Sequence, residues 1–458
     1  MSQEEKDKKL KKHKDKTSSP KKSRDPFSML EKFATPIPEL KDGEIDTPKD
    51  IEGFELLDES VVKEEYTKAA ELEKPKSKKK SIIISVIFLA INIAFVSFLA
   101  TSLLKSADSS IIGLFKTQGK RMWWLLLSVA LLGLSFVADA AAFALLIKKI
   151  TGKSKPWLAY KTTSMGKYYE AITPLAIGMQ PGQIVELSKG GISPGVATSI
   201  PIMKMLVYNI MNVVLSIVFL AGVGSQITSV VTLAEGARIL LIVFEVLAYI
   251  GIVLSLGTIL VTILIANSKM VGRSLARFVV RAGFRLRIVK NYRTAYSKLM
   301  RSVLEFQNSM NYFKKHKWVL FGCIGLITIS LLALASIPFS VVMALSDMSF
   351  SSVKSGFWIW AESVARYYIC FNASYHIPLP GGTGMMEIAF IAMFGNSRFL
   401  PSQTQFVYGF LFWRMISYYL IIVNGVVMII YSTSKTISSA KKANRKKATK
   451  VDAEIQNT

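Results

Sequence analysis

The chain has 458 residues, 51% of them hydrophobic, and a mean hydropathy of +0.37. This composition excludes an ordinary soluble domain and indicates a membrane protein. The net charge of +26 lies almost entirely in residues 81–458, which carry 37 Lys/Arg and 12 Asp/Glu, whereas residues 1–80 carry 20 and 19. Basic loops beside long apolar segments favour anionic membrane lipid as a partner, and no nucleic-acid partner is expected.

Residues 1–80 are predicted to form a disordered, charged cytoplasmic tail because they contain too few apolar side chains to build a core. An alternative interpretation is a docking segment that uses the short apolar patches "FSML" and "FELL" as anchors. The tail ends in "KPKSKKK" (74–80), which would hold this end of the chain in the cytoplasm.

Six later segments are long and apolar enough to cross a hydrocarbon core of about 30 Å as helices. These predicted spans are residues 81–104, 123–147, 198–222, 239–266, 318–345 and 404–432. Loop charges set their orientation. The loop 223–236 contains no lysine or arginine and is expected outside, whereas the charges of the loop 105–121 are indecisive. The basic segments expected in the cytoplasm are 148–155, 267–317 and the C-terminal tail 436–458.

Two further segments, 157–197 and 355–397, are moderately apolar but contain charges, prolines and glycines. A broken backbone at membrane depth is tolerated only where protein or a water-filled cavity surrounds it. We therefore expect two broken re-entrant helical hairpins that enter from opposite sides and form an inverted repeat with a substrate site between them. The predicted fold is an all-α polytopic membrane protein with six full spans and two such hairpins.

The stretch "HIPLPGGTGMMEIAF" (376–390) shows how the second hairpin would break. Its prolines end one helix and its glycines permit tight turns. A helix is predicted to resume over residues 385–394, with its N-terminus suited to a lipid phosphate. The residues at this break are Pro378, Pro380, Gly381, Gly382 and Gly384.

Glu387 allows two interpretations. With Gly384 as N-cap it occupies the third helical position, from which a glutamate can accept the cap N–H. Alternatively it lines the substrate pathway, because ionisable groups inside a membrane are costly and usually functional. Either Arg366, which could also pair with Glu362 four residues earlier, or Arg414 could neutralise Glu387 or hold a phosphate.

The first hairpin, "GKYYEAITPLAIGMQPGQIVELSKGGIS" (166–193), is predicted to break at two prolines and two glycines: Pro174, Gly178, Pro181 and Gly182. Gln180, Gln183 and Glu186 add more polar groups than a structural kink requires, which favours a cavity lining. A pair between Glu186 and Lys189 at the membrane edge is the alternative.

The segment 267–317 holds 13 Lys/Arg and a single acid, Glu305, interleaved with apolar side chains. This pattern predicts one or two basic amphipathic helices on the cytoplasmic surface. A specific site for a lipid headgroup is the alternative to a surface helix that only sets the topology.

Four stretches of the chain, in this order, resemble the membrane domain of the lysylphosphatidylglycerol synthase/flippase (MprF-like) family. They are "ITPLAIGMQPGQIVELSKGGIS", "PIMKMLVY", "PLPGGTGMMEIAF" and "LFWRMISYYL". The resemblance covers roughly residues 81–435, and Met179 departs from it where a small residue is expected. Because only 26 residues follow the last span, the C-terminal synthase domain of the bifunctional members is expected to be absent.

The loop charges predict that both termini are cytoplasmic. The resemblance implies a plasma-membrane protein that moves lysyl-phosphatidylglycerol or a related phospholipid from the inner to the outer leaflet. The alternatives are a lysyltransferase-type enzyme and a scaffold that recruits a separate lipid synthase; the oligomeric state stays open, including a homo-oligomer. No catalytic residue, metal or cofactor is predicted. The predicted substrate-binding residues are Gly178, Gln180, Pro181, Gln183, Glu186, Glu362, Arg366, Pro380, Gly381, Gly382, Gly384, Glu387 and Arg414.

Overall fold

The computed structural model describes residues 111–192, 194–229, 235–286, 315–348, 352–379, 381–395 and 399–432, with isolated positions within 94–101 and 296–311. They divide into two compact units. The smaller contains the described residues of Met270–Met300, and the larger contains those of Leu56–Lys269 and Arg301–Thr458.

The described residues form helices and no β-strand, as the sequence predicts. In chain order the helices are α1 (Ile111–Gln118), α2 (Trp123–Thr151), α3 (Pro156–Ile172), α4 (Met179–Lys189), α5 (Pro194–Ser229), α6 (Glu235–Asn267), α7 (Lys269–Arg285), α8 (Lys317–Ala335), α9 (Ile337–Leu345), α10 (Val353–Tyr375), α11 (Met385–Phe394) and α12 (Gln403–Arg414). A π turn, Met415–Tyr419, extends α12 into a helix that reaches Ser432.

Five helical segments are long and apolar enough to cross a membrane: Trp123–Thr151, Val196–Val223, Leu241–Asn267, Lys317–Leu345 and Gln403–Ser432. Each coincides with a predicted span to within a few residues. The predicted first span, 81–104, lies almost wholly outside the described residues and stays a prediction. The tails 1–80 and 436–458 also lie outside them.

The first hairpin, α3 and α4, breaks over residues 173–178. Leu175 and Ala176 adopt left-handed φ values of 52° and 55°. The Thr173 hydroxyl bridges the turn: it donates to the carbonyl oxygen of Tyr169 and accepts the N–H of Gly178 at 3.0 Å. The prediction that Pro181 and Gly182 also break the chain is wrong, because both lie in the first turn of α4. Proline is tolerated there, since first-turn N–H groups have no intrahelical acceptor.

The second hairpin, α10 and α11, breaks over residues 376–384. Gly381, Gly382 and Gly384 have φ values of 58°, 64° and 92°, which an L side chain rarely adopts. The predicted helix over 385–394 is confirmed as α11, with Gly384 as its N-cap. Pro380 lies outside the described residues.

Hydroxyl pairs join the long helices inside the larger unit. Ser128 and Ser340 share a hydrogen bond of 2.7 Å, and Ser135 and Ser330 share one of 2.9 Å. Small polar residues are typical of helix contacts in lipid, where they let backbones approach and satisfy one another's hydrogen bonds. These pairs hold α2 against α8 and α9.

Helix α7, which belongs to the smaller unit from Met270 onward, carries a cation at every fourth position: Lys269, Arg273, Arg277, Arg281 and Arg285. Ala276 and Val280 pack with Tyr296, while Phe278 and Val279 are exposed. The helix is therefore basic and exposes large apolar side chains. Its placement on a membrane surface stays a prediction.

Gly251 sets the approach of α6 to α10. A Cβ atom there would overlap the carbonyl oxygen of Asn372 and lie 2.9 Å from its carbonyl carbon. We expect Gly251→Ala to destabilise the protein by about 1–3 kcal/mol, because the two helices would have to separate. The measurement is the midpoint of thermal unfolding in detergent.

Gly257 provides the matched control on the same helix, since a Cβ there meets nothing within 4 Å. Gly257→Ala should leave the midpoint unchanged or raise it, because alanine favours helix. Equal midpoints for the two variants would contradict the close packing at Gly251.

Candidate functional site

Four buried charged residues surround the second hairpin, and we call them the second-hairpin cluster: Glu362, Arg366, Glu387 and Arg414. Glu387 is fully buried at the start of α11, where its Oε2 accepts the N–H of Gly384 at 2.6 Å. Its Oε1 lies 2.7 Å from Arg414 Nη2 on α12. Glu387 therefore caps α11, which is one of the two interpretations that the sequence left open, and it also forms an ion pair. Its place on a substrate pathway stays a prediction.

Arg414 is the arginine that neutralises Glu387. Its guanidinium also donates to the Thr383 hydroxyl at 3.3 Å and stacks 4.0 Å from the ring of Tyr418. The Nε of Arg414 is buried and has no hydrogen-bond acceptor among the described residues. One donor of this arginine thus remains available to a ligand.

Arg366 has a different environment. Its Nη2 lies 2.9 Å from Glu362 Oε1 on the same helix, and its Nη1 donates to the carbonyl oxygen of Met393 at the end of α11. The guanidinium also faces the ring of Phe399 at 5.1 Å. Arg366 therefore joins α10 to α11, and its contacts are those of a brace within the hairpin.

Six charged residues lie around the first hairpin, and we call them the first-hairpin cluster: Asp139, Lys161, Lys167, Glu170, Glu186 and Lys204. Lys204 Nζ on α5 lies 2.7 Å from both carboxylate oxygens of Asp139 on α2. Both side chains are buried, and Lys204 also sits 4.6 Å from the centre of the Phe143 ring. The pair thus holds one anion and one cation, which neutralise each other, between two long apolar helices.

Glu186 is fully buried and pairs with Lys161 across the hairpin, not with the exposed Lys189. Gln183 is buried next to it, and its Nε2 has no acceptor among the described residues. Gln180 donates to Met205 Sδ at 3.1 Å. The other two predicted residues of this segment are Gly178, the N-cap of α4, and Pro181, which is exposed.

The tips of the two hairpins meet. Tyr418, in the π turn after α12, donates to the carbonyl oxygen of Ala171 at the end of α3 at 3.0 Å. A Cβ on Gly381, in the break of the second hairpin, would lie 2.8 Å from that same oxygen and 2.5 Å from the Tyr418 ring. Glycine at 381 thus permits the two broken segments to approach each other. Gly382 continues the turn, and its carbonyl oxygen accepts the N–H of Met386.

Residues 82–425 match a family model, the lysylphosphatidylglycerol synthase TM region. The chain belongs to this family. The matched residues contain both hairpins and every member of both clusters, and the resemblance read from the sequence is confirmed. Family membership and the apolar helices identify a multi-pass membrane protein connected with lysylphosphatidylglycerol synthesis or translocation. A search of curated proteins finds no match to the chain.

Four residues of the first-hairpin cluster were not predicted from the sequence: Asp139, Lys161, Lys167 and Lys204. The sequence contains a signal for two of them, because Asp139 is the only acid in α2 and Lys204 is the only charged residue in α5. An isolated ionisable residue inside a span is usually functional and has a partner. Within the part of the chain that the structure describes, no group of three or more His, Cys, Asp or Glu could hold a metal ion.

Removing Arg366 tests its role as a brace. Arg366→Met should destabilise the protein by about 3 kcal/mol or more, because Glu362 would keep a buried charge without its cation. The double variant Glu362→Gln/Arg366→Met should recover part of this loss. Thermal unfolding in detergent measures the stability of the single and of the double variant.

Lys354→Met is the control, since Lys354 is exposed on the same helix. It should change stability by less than about 0.5 kcal/mol. The single variant Glu362→Gln completes the comparison. If the double variant loses as much stability as Glu362→Gln and Arg366→Met lose in sum, Glu362 and Arg366 do not depend on each other.

Proposed function

We propose that the protein translocates an aminoacylated phospholipid, lysyl-phosphatidylglycerol or a relative, from the inner to the outer leaflet of the cell membrane. The headgroup passes along the two hairpins while the acyl chains stay in the bilayer. The observation that carries the proposal is the contact between the hairpin tips at Ala171, Gly381 and Tyr418.

The contact between the hairpin tips supports a polar route for the headgroup, because a helix break needs hydrogen-bond partners for its backbone. Each break leaves N–H and C=O groups without intrahelical partners, and hydrocarbon supplies none. Where the two hairpins meet, a neighbouring side chain satisfies part of this need, because the Tyr418 hydroxyl donates to the carbonyl oxygen of Ala171 at the end of α3. The remaining polar groups offer a headgroup hydrogen bonds that lipid tails cannot provide.

The ion pairs support the same route. Asp139–Lys204, Lys161–Glu186 and Glu387–Arg414 each join different helical segments and lie in the interior. Burying a charge costs several kcal/mol, which pairing offsets. A headgroup that carries phosphate and ammonium can exchange partners with such pairs without creating an uncompensated charge.

Glu387 has a defined part in this exchange. The expected phosphate position at the N-terminus of α11 is held by the Glu387 carboxylate, which accepts the Gly384 N–H and pairs with Arg414. A phosphate arriving there competes with Glu387, and the Nε of Arg414 is free to receive it. The released carboxylate then meets the ammonium of the cargo.

The proposal includes a cellular setting. The protein would lie in the plasma membrane, and its positive loops support a cytoplasmic position for both termini. The row of cations on α7 and its exposed Phe278 and Val279 fit a surface of anionic lipid. The sequence contains no GxxxxGK[ST] motif, so ATP is not an evident energy source. A separate lipid synthase would supply the cargo.

The test is leaflet exchange of fluorescent lysyl-phosphatidylglycerol in liposomes that contain the protein, with phosphatidylglycerol for comparison. We expect protein-dependent exchange that prefers the aminoacylated lipid. Glu387→Gln should slow it about tenfold or more, because a buried Arg414 loses its counter-charge.

Asp347→Asn is the control, because Asp347 is exposed at the end of α9 and belongs to neither cluster. This variant should exchange lipid at the wild-type rate. Well-folded wild-type protein that exchanges neither lipid would rule out autonomous translocation and favour a scaffold.

A further inference from the structure

Lys167 and Glu170 differ from every other charged residue of the two clusters. They lie three residues apart on α3, on one side of the helix. Lys167 is buried and faces the ring of Phe136 at 5.5 Å, and Glu170 is half-buried. Neither forms a hydrogen bond or an ion pair with any residue in the described ranges, not even with the other.

A neutral pair lies beside them. Glu170 interacts electrostatically with Lys167 and with both members of the Asp139–Lys204 pair. Lys204 lies against both oxygens of Asp139 and forms no ion pair with Glu170. The cluster therefore presents one cation and one anion that still need partners.

The phenols of Tyr208 on α5 and of Tyr367 and Tyr375 on α10 each lie within electrostatic range of Glu170. Phe371 stacks between the two α10 tyrosines, with ring centres 6.0 Å and 5.1 Å away. Aromatic rings together with a carboxylate are a favourable environment for an ammonium group.

We propose that Lys167 and Glu170 form a headgroup subsite for a lipid that carries both a phosphate and an ammonium group. Lys167 binds the phosphate, and Glu170 binds the ammonium. Glu170 is thus a specificity-determining residue that separates an aminoacylated lipid from its unmodified precursor. The subsite rests on the proposed function for its lipid class, but it is defined by binding and not by movement.

The complementarity follows from the cost of unpaired charge. A poorly solvated ion without a counter-ion is destabilising, and a ligand that brings a counter-ion to each of Lys167 and Glu170 relieves both. A lipid with a phosphate but no ammonium group neutralises Lys167 and leaves Glu170 without a counter-ion. Selectivity then comes from Glu170, and overall affinity from Lys167.

The test is equilibrium binding of three short-chain lipids to the purified full-length protein in detergent, measured by calorimetry. They are lysyl-phosphatidylglycerol, its derivative with both amino groups acetylated, and phosphatidylglycerol. We expect the wild type to bind the first about tenfold more tightly than the other two. This comparison uses the native protein and does not depend on any variant folding.

The variants then assign the charges. Glu170→Gln should bind all three lipids equally, and Glu170→Asp, which keeps the charge on a shorter arm, should retain part of the preference. Lys167→Gln should weaken all three by a similar factor, whereas Lys189→Gln, an exposed lysine on α4, should change nothing. Gel filtration and thermal unfolding verify that each variant is folded.

Two results would overturn the subsite: no preference in the wild type, or an unchanged preference in folded Glu170→Gln. These failures differ from failure of the proposed function. Selective binding that Glu170 controls, without leaflet exchange in liposomes, would refute translocation and leave the subsite standing. Leaflet exchange combined with a lipid preference that is unchanged in Glu170→Gln would refute the subsite and leave translocation standing.

Discussion

The carboxylate of Glu387 joins three parts of the chain at one point. One oxygen accepts the N–H of Gly384 and starts α11, and the other pairs with Arg414 on α12. Arg414 in turn stacks on Tyr418, whose hydroxyl reaches the end of α3. A helix that restarts in an apolar interior needs an acceptor for its first N–H groups and a counter-charge for that acceptor. The position of both hairpin tips depends on this chain of contacts.

The two clusters meet the same requirement in different ways. Around the second hairpin each carboxylate has an arginine, and Arg366 additionally bonds to the carbonyl oxygen of Met393. Arginine suits this task because its planar fork bonds several acceptors at once. Around the first hairpin the cations are lysines, which act as point charges, and one lysine and one glutamate stay without partners. The second cluster therefore joins its helices through several bonds, whereas the first leaves two charged side chains without an ion pair among the described residues.

Much of the fold follows from local patterns in the sequence. Long apolar runs predict the five observed spans to within a few residues, because hydrocarbon thickness sets helix length. The run "PGGTGMMEIAF" predicts the break, the cap at Gly384 and the extent of α11. Pro181 shows the limit of this reasoning. A proline followed by glycine suggests a break, but in the first turn of α4 it lacks only an N–H that the helix does not use.

The sequence by itself determined that the chain is an all-helical membrane protein with charged, broken segments between its apolar spans. These properties depend on composition and on the spacing of neighbouring residues. Only the tertiary structure decided which charges pair. Asp139 meets Lys204 from 65 residues away, Glu387 selects Arg414 and not Arg366, and Lys167 and Glu170 are left without partners. Ion pairing between helices depends on where the packed backbones place each side chain, and no local pattern encodes that position.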